Sequence, residues 1–547
     1  MSFVDWTILI SILAGIIFYG LYKSRAHKSL DGYFLNNRSM PWYLVLLGIM
    51  GTQASAVTYL SGPGQAYTDG MRFVQYYFGL PFAMIVISIF FVPVFSKMKV
   101  VTAYEFLEQR FDVKTRTFTS FLFLLSRGLS TGISIYAPSI VLSSLMGWNI
   151  YITNVIMGGL LIVYTISGGA RAVAHTQMLQ MLIVFVTLFL SFYAILQLLP
   201  NGMHFSQALE LAANNGKMNT ITSGFTEKGF DWKDKYNIWS GLIGGFFLAL
   251  SYFGTDHSQV GRYITAKDTK ESRKGLLLNG LVKVPMQYFI LMLGVLVFVF
   301  YLQQKAPVYF DSVKKQAAQK TIYATRLNEI ELNFNLAQQQ QNNVLATQYR
   351  NEYKSELKKA FPNEESNDSN FIFLQFAKDH FPAGLTGLLF AIIFLSAWGS
   401  IAAALNSLAA CSVVDFHKKF WAKDTAGSQD VKISQWYSFG WGIFCIFIAM
   451  FANNIGNSLI EAVNILGSLF YGVMLGVFLV AFWMKKVGGH AVFWAAVIAE
   501  ILVISIFFAD IVSFLWLNVI GALLVIMLSR VWQLFIKNDH RIVPTNG

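Results

Sequence analysis

The stretch that decides the fold is LGIMGTQASAVTYLSGPG, residues 47–64. It is mostly apolar, yet it holds four glycines and five polar residues, which are Thr52, Gln53, Ser55, Thr58 and Ser61. Pro63 lacks a backbone donor and disfavours helix at Gly62. Close packing of small residues would explain Gly48 and Gly51, but it explains Gln53 poorly. The pattern therefore predicts a membrane helix that is broken within this stretch.

The composition places this stretch in a membrane protein. Of 547 residues, 55% are hydrophobic and 13% are charged, whereas soluble proteins carry roughly 25% charged residues. Both cysteines, Cys411 and Cys445, lie in apolar runs, so no disulfide framework or thiolate metal site is expected. The composition excludes a soluble enzyme, a disordered chain and a small secreted domain.

Apolar runs of about 20 residues, long enough for a ~30 Å hydrocarbon core, predict an all-α polytopic protein with 13 transmembrane helices. They lie near 5–22, 42–62, 74–96, 118–146, 150–168, 177–199, 237–261, 276–303, 382–411, 435–452, 459–483, 489–509 and 512–534. With the N-terminus outside and the C-terminus inside, the inside segments hold 24 Lys and Arg, and the short outside segments hold five. The net charge of +12 is thus an orientation signal, and no nucleic-acid partner is expected.

Two later spans carry polar residues as well. The seventh contains SYFGTDHSQ, residues 251–259, after Gly241, Gly244 and Gly245. Glycine-interrupted spans that are five apart in order are what an inverted repeat of five helices produces. The ninth span places Ser396, Ser400 and Ser407 within about 40° on one face. That stripe indicates a cation-lining face, or hydroxyls that bond only to their own helix.

The pattern divides the chain into five segments. Residues 1–40 form an extra N-terminal span and a cytoplasmic loop, 41–199 the first inverted repeat, and 200–236 an external loop. Residues 237–483 form the second repeat, interrupted by an external helical insertion at 304–372, and 484–547 form C-terminal spans and a cytoplasmic tail. The insertion has no Gly or Pro between Pro307 and Pro362, which favours one or two long helices. It is a solvated insertion, a docking surface for an unknown partner, or a lid.

Five motifs resemble the sodium/solute symporter family, which includes sodium/glucose, sodium/iodide, proline and sialic acid transporters. They are SAVTY at 55–59, YTISGGARAV at 164–173, GTDHSQVGRY at 254–263, LNS at 405–407 and GSLFYG at 467–472. The resemblance implies the leucine-transporter fold, with ten core helices at about 41–483 and alternating access to a central site. It also implies a multi-pass protein of the plasma membrane, with the bacterial inner membrane as the expected location.

The resemblance further implies a sodium site between the second and ninth spans. Its ligands would be the carbonyl oxygens of Gly51, Ala54 and Ser396 together with the side chains at positions 399 and 400, which this chain occupies with Gly399 and Ser400. The sequence departs from the family pattern in that position 399 lacks a hydroxyl. Gln177 stands where an aspartate is usual, and Ala403 removes the hydroxyl of a further sodium site. Sodium is the expected coupling ion at a weakened site, and no other cofactor is expected.

Ionisable residues inside spans are costly and point to function. Arg127 in the fourth span could bind a carboxylate, or could snorkel or tie the structure together. Lys283 in the eighth matches a lysine that sugar-transporting relatives place near substrate, or forms a structural ion pair; Glu461 is expected at the interface. The pocket that the resemblance implies comprises Thr58, Gln75, Tyr76, Tyr77, Asp256, Val463 and Asn464.

These features predict a secondary active transporter rather than an enzyme. The leading hypothesis is sodium-coupled symport of a small polar or anionic organic solute into the cell. The alternative is a family member with weakened or lost coupling, which would be a facilitator, a proton-driven carrier or a solute sensor. The eight histidines are scattered, and no span holds a pairing typical of a membrane enzyme.

Overall fold

The chain is helical almost throughout the residues that the structure describes. A computed structural model describes residues 1–23, 30–35, 38–98, 100–421, 428–452 and 458–535. Some of the basic residues that are predicted to lie inside fall outside these ranges, namely Arg25, Lys28, Lys99, Lys423, Lys537 and Arg541.

The first half of the chain contains helices α1 to α10. They are α1 Phe3–Lys23, α2 Leu30–Leu35, α3 Trp42–Gln53, α4 Ala56–Asp69, α5 Leu80–Val86, α6 Val92–Met98, α7 Glu105–Arg110, α8 Val113–Met146, α9 Ile150–Leu198 and α10 Phe205–Asn214. Two 3₁₀ segments, Gly70–Tyr77 and Pro200–Gly202, and a π-helical segment, Ile87–Phe91, lie among them. A short antiparallel pair follows, formed by β1 Phe225–Thr226 and β2 Gly229–Phe230.

The second half begins with a π-helical segment, Ser240–Gly244, and contains helices α11 to α22. They are α11 Gly245–Thr255, α12 His257–Tyr263, α13 Thr269–Gln303, α14 Ser312–Ala318, α15 Ala324–Gln339, α16 Asn343–Ala360, α17 Ser369–His380, α18 Leu385–Cys411, α19 Ser428–Phe451, α20 Leu459–Trp483, α21 Gly489–Phe508 and α22 Phe514–Phe535. A ten-residue π-helical segment, Ser412–Trp421, extends α18.

Each predicted span consists mostly of helical residues. Within the described ranges, ten helical segments are long and apolar enough to cross a membrane, and Trp42–Gln53, Ile150–Ile166 and Ser240–Thr255 are shorter apolar helices. The nearly all-helical membrane architecture is therefore confirmed. The total of 13 spans, the inverted repeat and the orientation of the termini stay predictions.

Helix α9 holds the predicted fifth and sixth spans in one run of 49 helical residues. The hydroxyl oxygens of Tyr164 and Thr176 lie 2.9 Å apart, although twelve residues of straight helix would separate their backbones by about 18 Å. The chain therefore bends sharply within α9, and the two predicted spans lie on its two arms.

Pro63 does not end a helix, which corrects the expectation that helix is disfavoured at Gly62. It lies inside α4, and the break falls earlier, between α3 and α4. The nearby glycines serve close packing instead. A Cβ added at Gly64 would lie 1.9 Å from the carbonyl oxygen of Ser369, and one at Gly294 would lie 1.9 Å from that of Pro63. Only glycine lets α4 approach α17 and α13 so closely.

Residues 304–372 contain α14, α15, α16 and the start of α17. Helices α15 and α16 are joined by three residues and pair antiparallel, with an ion pair between Arg326 and Glu352. They have a small apolar core of their own, which includes Leu327, Phe334 and Tyr353. A segment that buries its own apolar residues in this way is a packed helical hairpin rather than an irregular loop.

Candidate functional site

Two broken helices frame the centre of the molecule. Helix α3 ends at Gln53 and α4 begins at Ala56, with Ala54 at φ −80°, ψ 75° and Ser55 at φ −83°, ψ 172°. Helix α11 ends at Thr255 and α12 begins at His257, with Asp256 at φ −74°, ψ 115°. The second and seventh spans, which the sequence marks as polar and interrupted by glycines, are therefore both discontinuous. Breaks of this kind free backbone groups inside a membrane only where they line a site.

The first break frees two carbonyl groups that the family resemblance assigns to sodium. The N–H of Ser55 donates to Gln53 O at 3.0 Å, and that of Thr58 donates to Ser55 O at 2.9 Å. In an unbroken helix these two donors would bond to the carbonyl oxygens of Gly51 and Ala54. Because the donors are used elsewhere, both oxygens lose their usual helical partner.

A cavity of about 120 Å³ lies beside the breaks. Its walls come from the second, third, fourth, seventh, eighth and eleventh predicted spans. The predicted pocket residues that line it are Thr58, Tyr76, Tyr77, Arg127, Lys283, Val463 and Asn464. None of the described residues lining it is acidic. Typical ligand pockets are larger, at about 300–1,000 Å³, so a drug-sized solute requires the walls to move.

Arg127 is buried at the cavity with part of its guanidinium unengaged. Its Nη1 lies 3.9 Å from an Asp256 oxygen, which is long for a hydrogen bond, and its carbon lies 5.8 Å from the Tyr252 ring centre. Its Nε has no hydrogen-bond partner among the described residues. The guanidinium is thus held near one carboxylate while donors remain for another.

Asp256 fixes this arrangement but lies outside the cavity lining. Its Oδ1 accepts from the backbone N–H of Ser258 at 2.7 Å and from that hydroxyl at 2.5 Å. Its Oδ2 accepts from the Tyr471 hydroxyl at 2.7 Å. The carboxylate is therefore occupied by α12 and α20, and it orients Arg127 at a distance rather than saturating it.

Lys283 is a second buried cation at the cavity, with 2% of its surface exposed. Its Nζ lies 5.5 Å from the Tyr77 ring centre, and the described residues offer it no ion pair or hydrogen bond. An unpaired ammonium within a membrane helix is costly. The predicted alternative, a structural ion pair, therefore has no partner among the described residues.

Polar groups also line the cavity. The Tyr76 hydroxyl donates to Asn464 Oδ1 at 3.0 Å, and the Nδ2 group of Asn464 has no partner among the described residues. Ser130, Tyr252 and Tyr471 also line the cavity, and the sequence analysis missed all three. Tyr252 and Tyr471 stand inside motifs that were recognised, so their positions carried a usable signal.

Gln75 and Glu461 lie elsewhere. The Gln75 amide donates to Thr222 Oγ1 at 3.0 Å and to Tyr236 O at 3.1 Å, and it accepts from Thr222 N at 3.1 Å. That side chain is tied to the segment before α11 and does not line the cavity. Glu461 pairs with Lys235 in a separate, more open cavity of about 680 Å³.

The hydroxyl stripe of the ninth span bonds to its own helix. Ser400 donates to Ser396 O at 2.8 Å, Ser396 to Ile393 O at 3.0 Å, and Ser407 to Ala403 O at 2.9 Å. This is the bonding pattern of the second alternative that the sequence leaves open, in which the hydroxyls bond to their own helix. A hydroxyl that donates keeps its lone pairs, so Ser400 can still act as a cation ligand.

Gln177 lies between the second and ninth spans. Its Nε2 donates to Gly399 O at 3.0 Å and to Thr52 Oγ1 at 3.3 Å, while its Oε1 has no partner among the described residues. A Cβ added at Gly51 would lie 3.1 Å from Gln177 Cβ, and one at Gly399 would lie 3.2 Å from its Cγ and 2.5 Å from Gln180 Oε1. The two glycines thus make room for the glutamine side chain, which cross-links α3 and α18.

The profile of the sodium:solute symporter family matches residues 33–337 and 353–499, which is most of the chain. The chain belongs to this family. Since its characterised relatives are transporters, this symporter-family chain is classed with transport proteins rather than enzymes. It is a multi-pass membrane protein.

Two relatives and a solved structure are similar to this chain over nearly its whole length. The sodium/sialic acid symporter of Proteus mirabilis (strain HI4320) is 24% identical over 536 residues, covering 97% of this chain and 95% of that protein. The corresponding symporter of Aliivibrio fischeri is 23% identical and covers 98% and 94%. A solved sodium-coupled sialic acid symporter, in a substrate-bound outward-open state, superimposes with a TM-score of 0.78 at 23% identity over 98% of both chains. The symporter-family chain shares that fold.

Proposed function

We propose that this protein is a secondary active transporter that couples sodium entry to the uptake of a small organic anion by alternating access. The observation that carries the proposal is the cavity wall, to which Arg127 and Lys283 contribute positive charge and no described lining residue contributes negative charge. Sialic acid, named for two relatives, is itself an organic acid. We place the protein in the plasma membrane, with a bacterial inner membrane as the expected location.

Each part of the cavity has a proposed role. The guanidinium of Arg127 binds the solute carboxylate through parallel N–H donors, and Lys283 supplies a second positive charge. Thr58 and Asn464 offer hydrogen bonds to hydroxyl or amide groups. Tyr76 and Tyr77 cover the apolar part of the solute.

The proposed sodium site lies beside the first break. The freed carbonyls of Gly51 and Ala54 and the oxygens of Ser396 and Ser400 provide neutral, hard ligands of the kind that suit sodium. Position 399 contributes only its backbone. We infer that sodium binds here more weakly than at a site with a carboxylate nearby, because no negative charge offsets its desolvation.

Uptake by purified protein in proteoliposomes tests this function. Radiolabelled organic acids and their neutral amides are offered with an inward sodium gradient, and sodium is replaced by choline in the control. The proposal expects uptake of an acid, not of its amide, and a marked loss in choline. Equal uptake in both salts would overturn sodium coupling, and Ser400→Ala should raise the sodium concentration needed for half-maximal uptake.

The alternative, a carrier or sensor with weakened coupling, is favoured by Gln177. Its amide N–H group already occupies Gly399 O and Thr52 Oγ1, so a cation has to displace a neutral cross-link. If uptake does not depend on sodium, the double substitution Gln177→Asp and Gly399→Ser should create that dependence. The introduced serine requires Gln180 to shift, since a Cβ at position 399 would lie 2.5 Å from Gln180 Oε1; Gln180→Ala is the matched control. Failure of the double variant to respond to sodium would exclude a site merely weakened at these positions.

A further inference from the structure

A groove of about 410 Å³, separate from the central cavity, lies between α8, the π-helical segment Ser412–Trp421 and α21. Its walls are mainly phenylalanines, and Phe118 meets Phe493 edge to face at 5.7 Å. Phe121 and Phe420 are each about half exposed, at 50% and 53%. The groove therefore opens outward with an apolar lining.

The groove is polar at one end and apolar along the rest. Lys114, Thr117, Phe118 and Phe121 line it from α8, and their spacing of three, four and seven residues puts them on one helix face. Lys114 is next to the start of the helix at Val113, and each later residue lies deeper along the axis. A charge at the membrane surface followed by aromatic rings is the order of groups along a phospholipid, from headgroup to chain.

The polar end has unused binding capacity. Lys114 is exposed and has neither an ion pair nor a hydrogen bond to any described residue. The buried Thr117 hydroxyl also has no partner among them. The neighbouring Lys418 and Lys419 are neutralised, by Asp430 and Glu108. The spare charge at the groove is therefore that of Lys114.

We propose that this groove binds an anionic phospholipid, with its phosphate on Lys114 and one acyl chain along Phe118, Phe121 and Phe416. Charge complementarity selects an anionic headgroup over a neutral one. The aromatic walls suit a hydrocarbon chain, and the groove lies at the end of α8 where the basic residues predict the cytoplasmic leaflet.

The bound lipid would stabilise the contact between α8 and the π-helical segment Ser412–Trp421. Arg116, next to Thr117, binds Asp415, next to Phe416, through Nη2 at 2.6 Å and Nε at 2.8 Å. Asp415 also accepts from Thr102 and Ser120, each at 2.8 Å. A lipid that touches both groove walls bridges the two segments that this ion pair already clamps, so it stabilises the end of α18.

Lipid retention and thermal stability of the full chain in nanodiscs test the proposal. We expect phosphatidylglycerol to raise the melting temperature above that in phosphatidylcholine, and native mass spectrometry to detect a retained phosphatidylglycerol. Lys114→Gln should weaken its retention about fivefold, whereas Lys486→Gln, also exposed, should leave it unchanged. Phe420→Ser, which changes the apolar wall of the groove, should also weaken retention of phosphatidylglycerol.

Four results would overturn the proposal. Three are equal retention by the wild type and Lys114→Gln, equal retention of phosphatidylglycerol and phosphatidylcholine, and competition by millimolar inorganic phosphate, which would indicate a free-anion site. The fourth is equal loss in Lys114→Gln and Lys486→Gln, which would show general surface charge instead of a groove. None of these measurements depends on solute uptake, so they remain informative if the proposed transport function fails.

Discussion

At the scale of single residues, the two cations of the central cavity are held in different ways. Arg127 lies 3.9 Å from Asp256, whose other contacts fix its position. Among the described residues, Lys283 has only the Tyr77 ring as a charge-stabilising contact, at 5.5 Å. Desolvation of an ammonium costs several kcal/mol, and the described residues show no interaction strong enough to offset that cost. Such an arrangement is retained when a ligand supplies the missing charge.

Replacement of Lys283 by methionine should therefore move stability and affinity in opposite directions. Methionine keeps the length of the side chain and removes the buried charge, so thermal stability without solute should rise, on the order of 1–3 kcal/mol. Affinity for the transported anion should fall about 10- to 100-fold, as for a lost charge-assisted hydrogen bond. Thermal unfolding and uptake kinetics measure the two effects. A loss of stability would show that Lys283 has a structural role.

Arg127 should be sensitive to geometry as well as to charge. Arg127→Lys keeps the positive charge beside Asp256 but loses the planar pair of donors, so the KM for the anion should rise at least tenfold. Arg127→Gln should be worse, because Asp256 then lacks its cation. Uptake kinetics across a concentration series distinguish the two. Equal KM values for wild type and Arg127→Lys would contradict carboxylate binding by the guanidinium.

The sequence predicts some of these residues better than others. Arg127 and Lys283 stand out because ionisable groups in apolar spans are rare and costly. Gln75 lies outside the cavity lining. A polar residue near the end of a span can form its hydrogen bonds with a loop, and here the Gln75 amide donates to Thr222 Oγ1 and Tyr236 O. Tyr252 was missed because an aromatic residue in a membrane helix usually packs or anchors, and composition does not distinguish that from a site.

At the scale of helices, the break in the second span was predictable, but its position was not. The polar residues and glycines predict an interruption of the helix. Pro63 suggests that it lies near Gly62, whereas the observed interruption lies earlier in the stretch. The helix continues through Pro63 because α4 is packed closely between α13 and α17. The break instead falls at Ala54–Ser55, where freed carbonyls can bind a ligand. Tertiary packing, which a single sequence does not display, decides between the two positions.

We expect Arg350 to help hold the insertion hairpin against the neighbouring segments. Its Nη2 donates to Pro307 O at 2.7 Å and its Nη1 to the Tyr67 hydroxyl at 3.3 Å. Its carbon lies 5.3 Å and 5.2 Å from the rings of Phe310 and Phe334. Arg350→Ala should cost about 2–4 kcal/mol locally. Hydrogen exchange should then quicken in α15 and α16.

The matched control for this element is Arg326→Ala. Arg326 is half exposed, with ion pairs to Glu329 and Glu352, and exposed pairs contribute about 0–1 kcal/mol. Exchange should change little in that variant. If Arg350→Ala also leaves exchange unchanged, the hairpin is held by its apolar core alone. If it alters the solute KM, the insertion acts as a lid instead of a passive addition.

At the scale of the whole molecule, the uneven distribution of Lys and Arg predicts which segments lie inside and which lie outside. The positions of the helices alone do not test this orientation. The 13-span prediction places the connection between α15 and α16 outside and the segment after α20 inside. A count of 12 or 14 spans would put the two chain ends on the same side. The orientation predicted for these two segments can be tested with one exposed position in each of them.

Cysteine labelling in intact cells should test the predicted sidedness of these two positions, which three predicted spans separate. Gln341→Cys, in the α15–α16 connection, and Lys486→Cys, after α20, place a thiol at exposed sites. Cys411 and Cys445 are fully buried and should give little background. A membrane-impermeant maleimide should label Gln341→Cys in whole cells, and should label Lys486→Cys only after permeabilisation, because the basic inside segments remain cytoplasmic. Labelling of both variants in intact cells would contradict the predicted topology, and the reverse pattern would invert it.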